Sequence, residues 1–181
     1  GKINIDGIDY SELELSSIRN IIGYVTQEPV IFNDTIANNI SFWECDSQED
    51  IGRKRINAAA VLANCDSFIT EAEMGYETVI GDKGIKLSGG QRQRIAIARE
   101  LFKEPEIMIF DEATSALDTE SEQLIQQSIN SLKGERTIVI IAHRLSTVRK
   151  CDYIYVLKDG RIVEEGSFDE LYGDTNTRFY S

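Results

Sequence analysis

A serine, two glycines and a glutamine near the middle of the chain have the types and spacing of an anion site. Ser88 and Gln91 are three residues apart, which is the spacing of a capping box at the start of a helix. Gly89 and Gly90 fall in the first turn, where glycine costs helix stability but lets a ligand approach the backbone N–H groups. Those donors and the positive end of the helix dipole attract phosphate. The pattern therefore favours a phosphate site over a helix that is merely well capped.

Two carboxylates, Asp111 and Glu112, directly follow the apolar residues 107–110. The apolar segment predicts a buried parallel strand, and ligands of open α/β sheets bind at the carboxyl ends of such strands. One carboxylate there can hold hydrated Mg²⁺, and its neighbour can accept a proton from an attacking water. The alternative is a strand that simply exits into solvent through acidic residues. The glycine-containing segment upstream favours the ligand site.

His143, the only histidine, ends a second apolar segment, residues 137–142. A lone histidine at a strand end is commonly structural. If the two apolar segments form adjacent parallel strands, however, His143 and Glu112 will lie at the same edge of the sheet. That position indicates a residue that contacts phosphate.

Composition narrows the class of protein. With 181 residues and 41% hydrophobic content, the chain can bury the core of one domain. A net charge of -12 disfavours a nucleic-acid partner. No apolar run approaches the roughly 20 residues of a membrane-spanning helix, and residues 138–142 have the length of a buried strand. Cys45, Cys65 and Cys151 lack C-x-x-C spacing and are interpreted as reduced thiols outside any metal framework.

Local patterns predict an alternation of strands and helices, which is typical of a parallel sheet covered by helices. The predicted strands are residues 2–7, 21–25, 107–110, 137–142 and 153–157, with a hairpin turn at Asp159 and Gly160 into residues 161–163. The sequence predicts four helices. The first is capped by Ser47 and runs to about Cys65, and the second begins at Asp66 and is ended by Gly75. The third covers residues 89–102, and the fourth is capped by Thr119 and Glu122 and ended by Gly134. Ile56, Ala60 and Ala63 are expected on one face of the first helix, and Ile125, Ile129 and Leu132 on one face of the last.

Together these motifs resemble the nucleotide-binding domain of an ATP-binding cassette (ABC) transporter of the exporter type, over essentially the whole chain. The matching residues are Gln27 for the Q-loop, Ser88, Gly89, Gly90 and Gln91 for the signature, Asp111 and Glu112 for Walker B, residues 115–118 for the D-loop, and His143 for the H-loop. Residues 32–36 and 78–84 resemble exporter stretches near the transmembrane contact, although Val79 stands where many exporters have glutamate.

The resemblance implies an α/β fold, a P-loop NTPase (RecA-like) core with a mostly parallel sheet and an inserted helical subdomain. The implied boundaries are 1–27 for core strands, 28–86 for the helical subdomain, 87–166 for the signature-to-H-loop core and 167–181 for a C-terminal helix or tail. No G-x-x-x-x-G-K-S/T phosphate loop occurs in the sequence. The N-terminal part that carries Walker A is therefore expected to be missing, and the chain is interpreted as a truncated domain.

For function, the resemblance implies an ATP-hydrolysing motor in which two such domains meet head to tail around two ATP molecules. Glu112 would be the general base, with Asp111 and Gln27 as Mg²⁺ contacts. His143 would steady the γ-phosphate. The remaining nucleotide contacts implied are Ser88, Gly89, Gly90, Gln91 and Asp118, with Ser88 and Gly90 clasping the partner's γ-phosphate. The implied cofactors are ATP and Mg²⁺, and the implied partners are a second nucleotide-binding domain and transmembrane domains, at the cytoplasmic face of a membrane.

Two other functions compete with an exporter motor. A soluble ABC ATPase acting on DNA would need long coiled coils, and residues 28–86 are too short and lack sustained heptads. A ribosome-associated member would usually show two cassettes and basic segments. A regulatory cassette without activity is disfavoured because Glu112 and His143 are both present.

The missing phosphate loop leads to two further expectations. The 181-residue chain alone should bind ATP weakly, because the backbone nest for the β- and γ-phosphates is absent. Its strand would also lie centrally in the sheet, so apolar edges should be exposed at residues 107–110 and 137–142, with a tendency to self-associate or rearrange.

Overall fold

The computed structural model of the chain describes residues 2–45, 49–84, 86–114, 117–142 and 144–173. His143 and the D-loop residues 115 and 116 lie outside the described residues, as does the predicted helix cap Ser47. The chain divides into two compact units, Gly1–Ile141 and Ala142–Ser181. Among the described residues, no helix combines the length and hydropathy needed to cross a bilayer.

The first unit contains most of the helices and the main sheet. Its strands are β1 Asn4–Ile5, β2 Ile8–Asp9, β3 Ile22–Val25, β4 Ile107–Asp111 and β5 Thr137–Ile141. Its α-helices are α1 Leu15–Ile21, α2 Ile36–Ser41, α3 Asp50–Leu62, α4 Asp66–Glu71, α5 Gly89–Phe102 and α6 Thr119–Ser131. Short 3₁₀ helices occur at Tyr10–Glu12, Gly75–Glu77 and Asp82–Gly84.

Strands β3, β4 and β5 form a parallel sheet in that order. In register, Val25 pairs with Phe110, which pairs with Ile140. Met108 and Phe110 on β4 are fully buried, and the core continues into the apolar residues of α5 and α6. The predicted parallel sheet covered by helices is confirmed.

Exposure along the sheet is uneven. β5 is the last strand of the described sheet, and its Val139 and Ile141 are 46% and 47% exposed. The expected apolar exposure is therefore confirmed at β5. It is wrong for residues 107–110, because β4 has a paired neighbour on each side. Both strands also keep a regular parallel register, with no rearrangement.

The helices between β3 and β4 pack on α5 through small and branched residues. Ile56, Ala60 and Ala63 are all buried, as predicted. α3 ends at Leu62, three residues before the predicted end, because Asn64 takes a left-handed conformation (φ 54°) and turns the chain. α4 ends at Glu71 and not at Gly75, since Ala72 is already extended.

Helix α5 has the predicted limits, whereas the predicted cap of α6 is wrong. Asp118, one residue before Thr119, is the N-cap, and its Oδ1 accepts a hydrogen bond from Ser121 N at 2.9 Å. A carboxylate at this position also interacts favourably with the helix dipole. The expected apolar stripe is confirmed, because Ile125, Ile129 and Leu132 are at most 2% exposed. Gly134 follows with a positive φ of 81°.

The second unit consists of α7 Leu145–Val148, β6 Ile154–Lys158, β7 Arg161–Gly166 and α8 Phe168–Gly173. β6 and β7 pair antiparallel, and the turn residues Asp159 and Gly160 both have positive φ, 50° and 72°. Positive φ at both central residues is the requirement of a tight type I′ hairpin. The predicted hairpin is confirmed, and β7 extends three residues further than predicted.

The loop before α2 contains a carboxylate that should make stability depend on acid pH. Asp34 accepts hydrogen bonds from Asn38 Nδ2, Thr35 N and Trp43 Nε1, and the first two lower its pKa most strongly. The stabilisation is therefore present above the ordinary pKa of 3.8 and is lost as pH falls through the lower folded pKa. Trp43 is the only tryptophan, so its fluorescence reports the change directly.

We expect a change in Trp43 emission only below pH 3.8, without loss of far-UV circular dichroism. The control is Asp34→Asn, which removes the titrating group and should abolish the transition. An unchanged transition in that variant would assign the acid response to another carboxylate.

Candidate functional site

The carboxyl ends of β3 and β4 bring three predicted site residues to one edge of the sheet. Gln27 lies two residues beyond β3, Asp111 ends β4, and Glu112 follows it. The parallel register between β3 and β4 places these ends side by side. His143 lies outside the described residues, two positions after β5, whose Ile141 pairs with Asp111.

Asp111 has a hydrogen-bond partner that sequence reasoning missed. The hydroxyl of Tyr24 on β3 donates to Asp111 Oδ2 at 2.6 Å. This bond to the carboxylate raises the pKa of Tyr24, because the hydroxyl proton is held by the charged acceptor. The contact fixes one oxygen of Asp111. A tyrosine three residues before a glutamine carries no signal for such a bond, because the bond depends on the pairing of β3 with β4.

Glu112 has an unusual backbone conformation. Its φ is 50°, in the left-handed region that a non-glycine residue enters at a cost of roughly 1–3 kcal/mol. The surrounding structure maintains this conformation in part through Glu112 N, which donates to Ile141 O at 3.0 Å. Strained backbone of this kind concentrates at functional sites. The side chain is half-buried, which is compatible with contact to a ligand.

The signature segment forms the predicted capping box. Ser88 Oγ accepts from Gln91 N at 3.2 Å, and Gln91 Oε1 accepts from Ser88 N at 2.9 Å. Ser88 is exposed and Gly89 is half-buried. As in any helix, the N–H groups of the first turn have no acceptor within the helix. Gly89 N and Gly90 N can therefore donate to an anion at this end of α5.

Glycine is present at positions 89 and 90 for different structural reasons. A Cβ on Gly90 would lie 2.1 Å from Ser121 Oγ and 2.4 Å from Ser121 Cβ, so the close approach of α5 to α6 requires glycine there. A Cβ on Gly89 would meet Leu117 Cδ2 at 3.4 Å, an ordinary contact. Ligand access remains the better explanation for Gly89 only. For Gly90, which is buried, the sequence interpretation missed the packing constraint.

Ser121 joins two of the predicted site segments. Its backbone N–H donates to Asp118, and this bond, more than any other cause, lowers the pKa of that carboxyl. Its side chain lies against Gly90. The start of α6, which follows the D-loop, is thus in direct contact with the start of α5. No sequence pattern marks Ser121, because a serine in a first helical turn is common.

The oxygen ligands at the sheet edge fit Mg²⁺ bound together with a nucleotide. Among the residues that the structure describes, no three His, Cys, Asp or Glu side chains cluster as a self-sufficient metal site. Mg²⁺ in nucleotide sites is normally held by one or two protein oxygens, several waters and the phosphates. Asp111, whose Oδ2 accepts the hydrogen bond from Tyr24, could supply a ligand of that kind, and so could the amide oxygen of Gln27.

The parallel sheet, the carboxylates at its central strand and the glycine-containing helix start fit a P-loop NTPase fold. Comparison with known sequences gives the family. The ABC transporter family model matches residues 1–115, and the chain belongs to the ABC transporter family.

The chain spans only a fifth to three tenths of the length of the three similar proteins described here. The chain is 52% identical over 171 residues to an ATP-dependent lipid A-core flippase of Pectobacterium atrosepticum, covering 94% of this chain and 29% of the flippase. It is 46% identical over 181 residues to ABC transporter B family member 1 of Dictyostelium discoideum, and the match covers 100% of this chain and 20% of that protein. A solved structure of a bacterial Atm1-family ABC exporter with ATP bound matches with a TM-score of 0.84 and 44% sequence identity. The match covers 96% of this chain and 30% of the exporter chain.

Proposed function

We propose that this chain is part of the ATP-hydrolysing motor of an ABC exporter. The observation that carries the proposal is the meeting of Gln27 and the Asp111–Glu112 pair at one sheet edge, with strained backbone at Glu112. Membership of the ABC transporter family and the likeness to exporters support the same role.

In the proposed reaction, Glu112 accepts the proton of the water that attacks the γ-phosphate. Asp111 and Gln27 would hold the hydrated Mg²⁺, and His143 would contact the γ-phosphate. Bound Mg²⁺ would neutralise charge on the phosphates, since such reactions depend mostly on positioning and electrostatics. The left-handed backbone of Glu112 fixes where its side chain leaves the sheet, independently of ligand.

The signature end of α5 is proposed to act on a nucleotide held by a second ATP-binding domain. Ser88 is exposed, and Gly89 and Gly90 have first-turn N–H groups directed out of the helix start. Gln91 would hold the cap in shape, and Asp118 would contact the nucleotide from the start of α6. A head-to-tail pair of domains would bring this surface onto the partner's γ-phosphate.

The proposed location is the cytoplasmic face of a membrane, with transmembrane domains as the second class of partner. The two similar proteins are by name a lipid A-core flippase and an Atm1-family ABC exporter, and this chain matches about three tenths of each. The proposed role is to convert ATP hydrolysis into movement of those domains.

Phosphate release by the complete protein tests the proposed function. We expect hydrolysis of ATP that requires Mg²⁺, stops on chelation with EDTA and returns when Mg²⁺ is restored. A purified, folded protein that binds ATP and Mg²⁺ but releases no phosphate would contradict the proposal and favour a regulatory cassette.

The 181-residue chain by itself is expected to bind ATP weakly. Its sequence contains no G-x-x-x-x-G-K-S/T loop, which is the backbone nest that usually holds the β- and γ-phosphates. Titration with a fluorescent ATP analogue should give no saturation in the micromolar range. Micromolar affinity in the isolated chain would show that the residues present form a sufficient site.

A further inference from the structure

Gln93 on α5 is a buried glutamine with one long-range hydrogen bond. It is 2% exposed, and its Nε2 donates to the carbonyl oxygen of Thr26 at 2.9 Å. A buried amide is costly unless it is hydrogen-bonded, and an apolar side chain of similar size would fill this space without that cost. The bond to Thr26 is therefore the property that distinguishes glutamine at this position.

Thr26 is the residue at which the chain leaves β3, directly before Gln27. Its hydroxyl donates to the carbonyl oxygen of Glu28 at 3.1 Å, which holds the turn, while its own carbonyl is held by Gln93. The two bonds hold the peptide group between Thr26 and Gln27 and the one between Glu28 and Pro29. The direction in which Gln27 leaves the sheet is thus set from α5.

The other end of this connection is the signature segment, less than two turns upstream on the same helix. Arg94, beside Gln93, donates to Gly90 O at 3.4 Å and to Asn64 O at 2.6 Å, which braces the first turns of α5. The first turns of α5 are therefore held by side-chain bonds as well as by the helix backbone.

Close packing prevents α5 from sliding along β3. A Cβ on Gly23 would lie 3.2 Å from Glu100 Cβ on α5, so the strand and the helix are in near contact there. The bond between Gln93 and Thr26 is a second fixed point, farther toward the start of the helix. With two fixed points, strand and helix must move together.

We propose that Gln93 is a positioning residue that couples the two nucleotides of the head-to-tail pair. A phosphate bound at Ser88–Gly90 shifts the start of α5, and Gln93 carries that shift through Thr26 to Gln27 at the chain's own nucleotide. The inference rests on the proposed function and adds a physical link between its two sites.

The test is Gln93→Leu in the complete protein, compared with Gln126→Leu. Gln126 is a matched control because it is also buried, on α6, and its Nε2 has no hydrogen-bond partner among the residues that the structure describes. For Gln93→Leu we expect hydrogen exchange of the backbone amides of Gln27 and Glu28 to accelerate roughly threefold to tenfold, because one bond that holds this turn is lost. Gln126→Leu should leave exchange there unchanged.

The kinetic readout separates coupling from stability. Gln93→Leu should lower kcat roughly tenfold to a hundredfold with little change in KM, because Gln27 is misplaced and nucleotide affinity is not reduced. Cooperativity between the two nucleotide sites in ATP hydrolysis should also weaken. It would be measured as a Hill coefficient closer to one. Gln126→Leu should keep wild-type kinetics at a similar melting temperature.

Failure of this inference is distinguishable from failure of the proposed function. Wild-type kinetics in Gln93→Leu, or equal exchange in both variants, would overturn the coupling while leaving the motor intact. Equal kinetic losses in both variants would reduce Gln93 to a structural residue. Absence of ATP hydrolysis in the unsubstituted protein would contradict the proposed function, whereas the exchange comparison would still decide whether Gln93 fixes the segment at Gln27.

Discussion

Replacing Glu112 with glutamine should lower ATP hydrolysis by the complete protein by roughly 10²- to 10⁴-fold, the usual contribution of a general base. Glutamine has nearly the same shape as glutamate but cannot accept the proton of the attacking water. The backbone of Glu112 is held in its left-handed conformation by a bond from its N–H to Ile141, which the substitution leaves in place. Nucleotide binding should therefore persist while turnover is lost.

Glu106→Gln is the matched control for this experiment. Glu106 is exposed and lies at the opposite end of β4, directly before the strand begins, so it carries the same charge far from the proposed site. Phosphate release in this control should match the unsubstituted protein. A Glu112→Gln variant that hydrolyses ATP at the normal rate would remove Glu112 from the proposed reaction.

Gly90→Ala should destabilise the fold by about 1–3 kcal/mol, the typical cost of overpacking. The new Cβ would lie 2.1 Å from Ser121 Oγ, so α5 and α6 would have to separate. Gly89→Ala is the adjacent control. Its Cβ meets Leu117 Cδ2 at 3.4 Å, so its free energy of unfolding should change far less. Chemical denaturation of the three proteins measures the difference.

A double-mutant cycle tests whether the stability lost in Gly90→Ala comes from the contact with Ser121. In Gly90→Ala combined with Ser121→Gly, both close atoms of Ser121 are gone and only its Cα remains, 3.6 Å from the new Cβ. The stability lost in Gly90→Ala should largely return. Two penalties that simply add would show that the glycine is needed for another reason.

Local sequence patterns predicted those helices and strands whose start and end are determined by residues within the element itself. Helix α5 begins and ends where the sequence indicates, because Ser88 and Gln91 form its cap within a single turn. α3 was predicted three residues too long because Asn64 turns left-handed, and asparagine carries only a weak preference for that conformation. At α6, two adjacent residues could both serve as the cap, and Asp118 formed the bond.

The candidate site was predictable in part for the same reason. Parallel strands bring their carboxyl ends together, so Gln27 and the Asp111–Glu112 pair could be expected at one edge. The bond from Tyr24 to Asp111 joins residues 87 positions apart, and that from Gln93 to Thr26 joins residues 67 apart. Such contacts depend on the final approach of one element to another, which no local pattern encodes.

The central claim is that a working site takes Glu112 from one domain and the signature from another. The most direct measurement is ATP hydrolysis by a mixed pair of two inactive forms of the complete protein, Glu112→Gln and Gly89→Asp, purified through two different tags. Aspartate in a first helical turn is compatible with the helix dipole but repels phosphate. In the mixed pair, one of the two head-to-tail sites regains both intact parts, so activity should return. A mixed pair as inactive as either form alone would contradict a site shared between two chains.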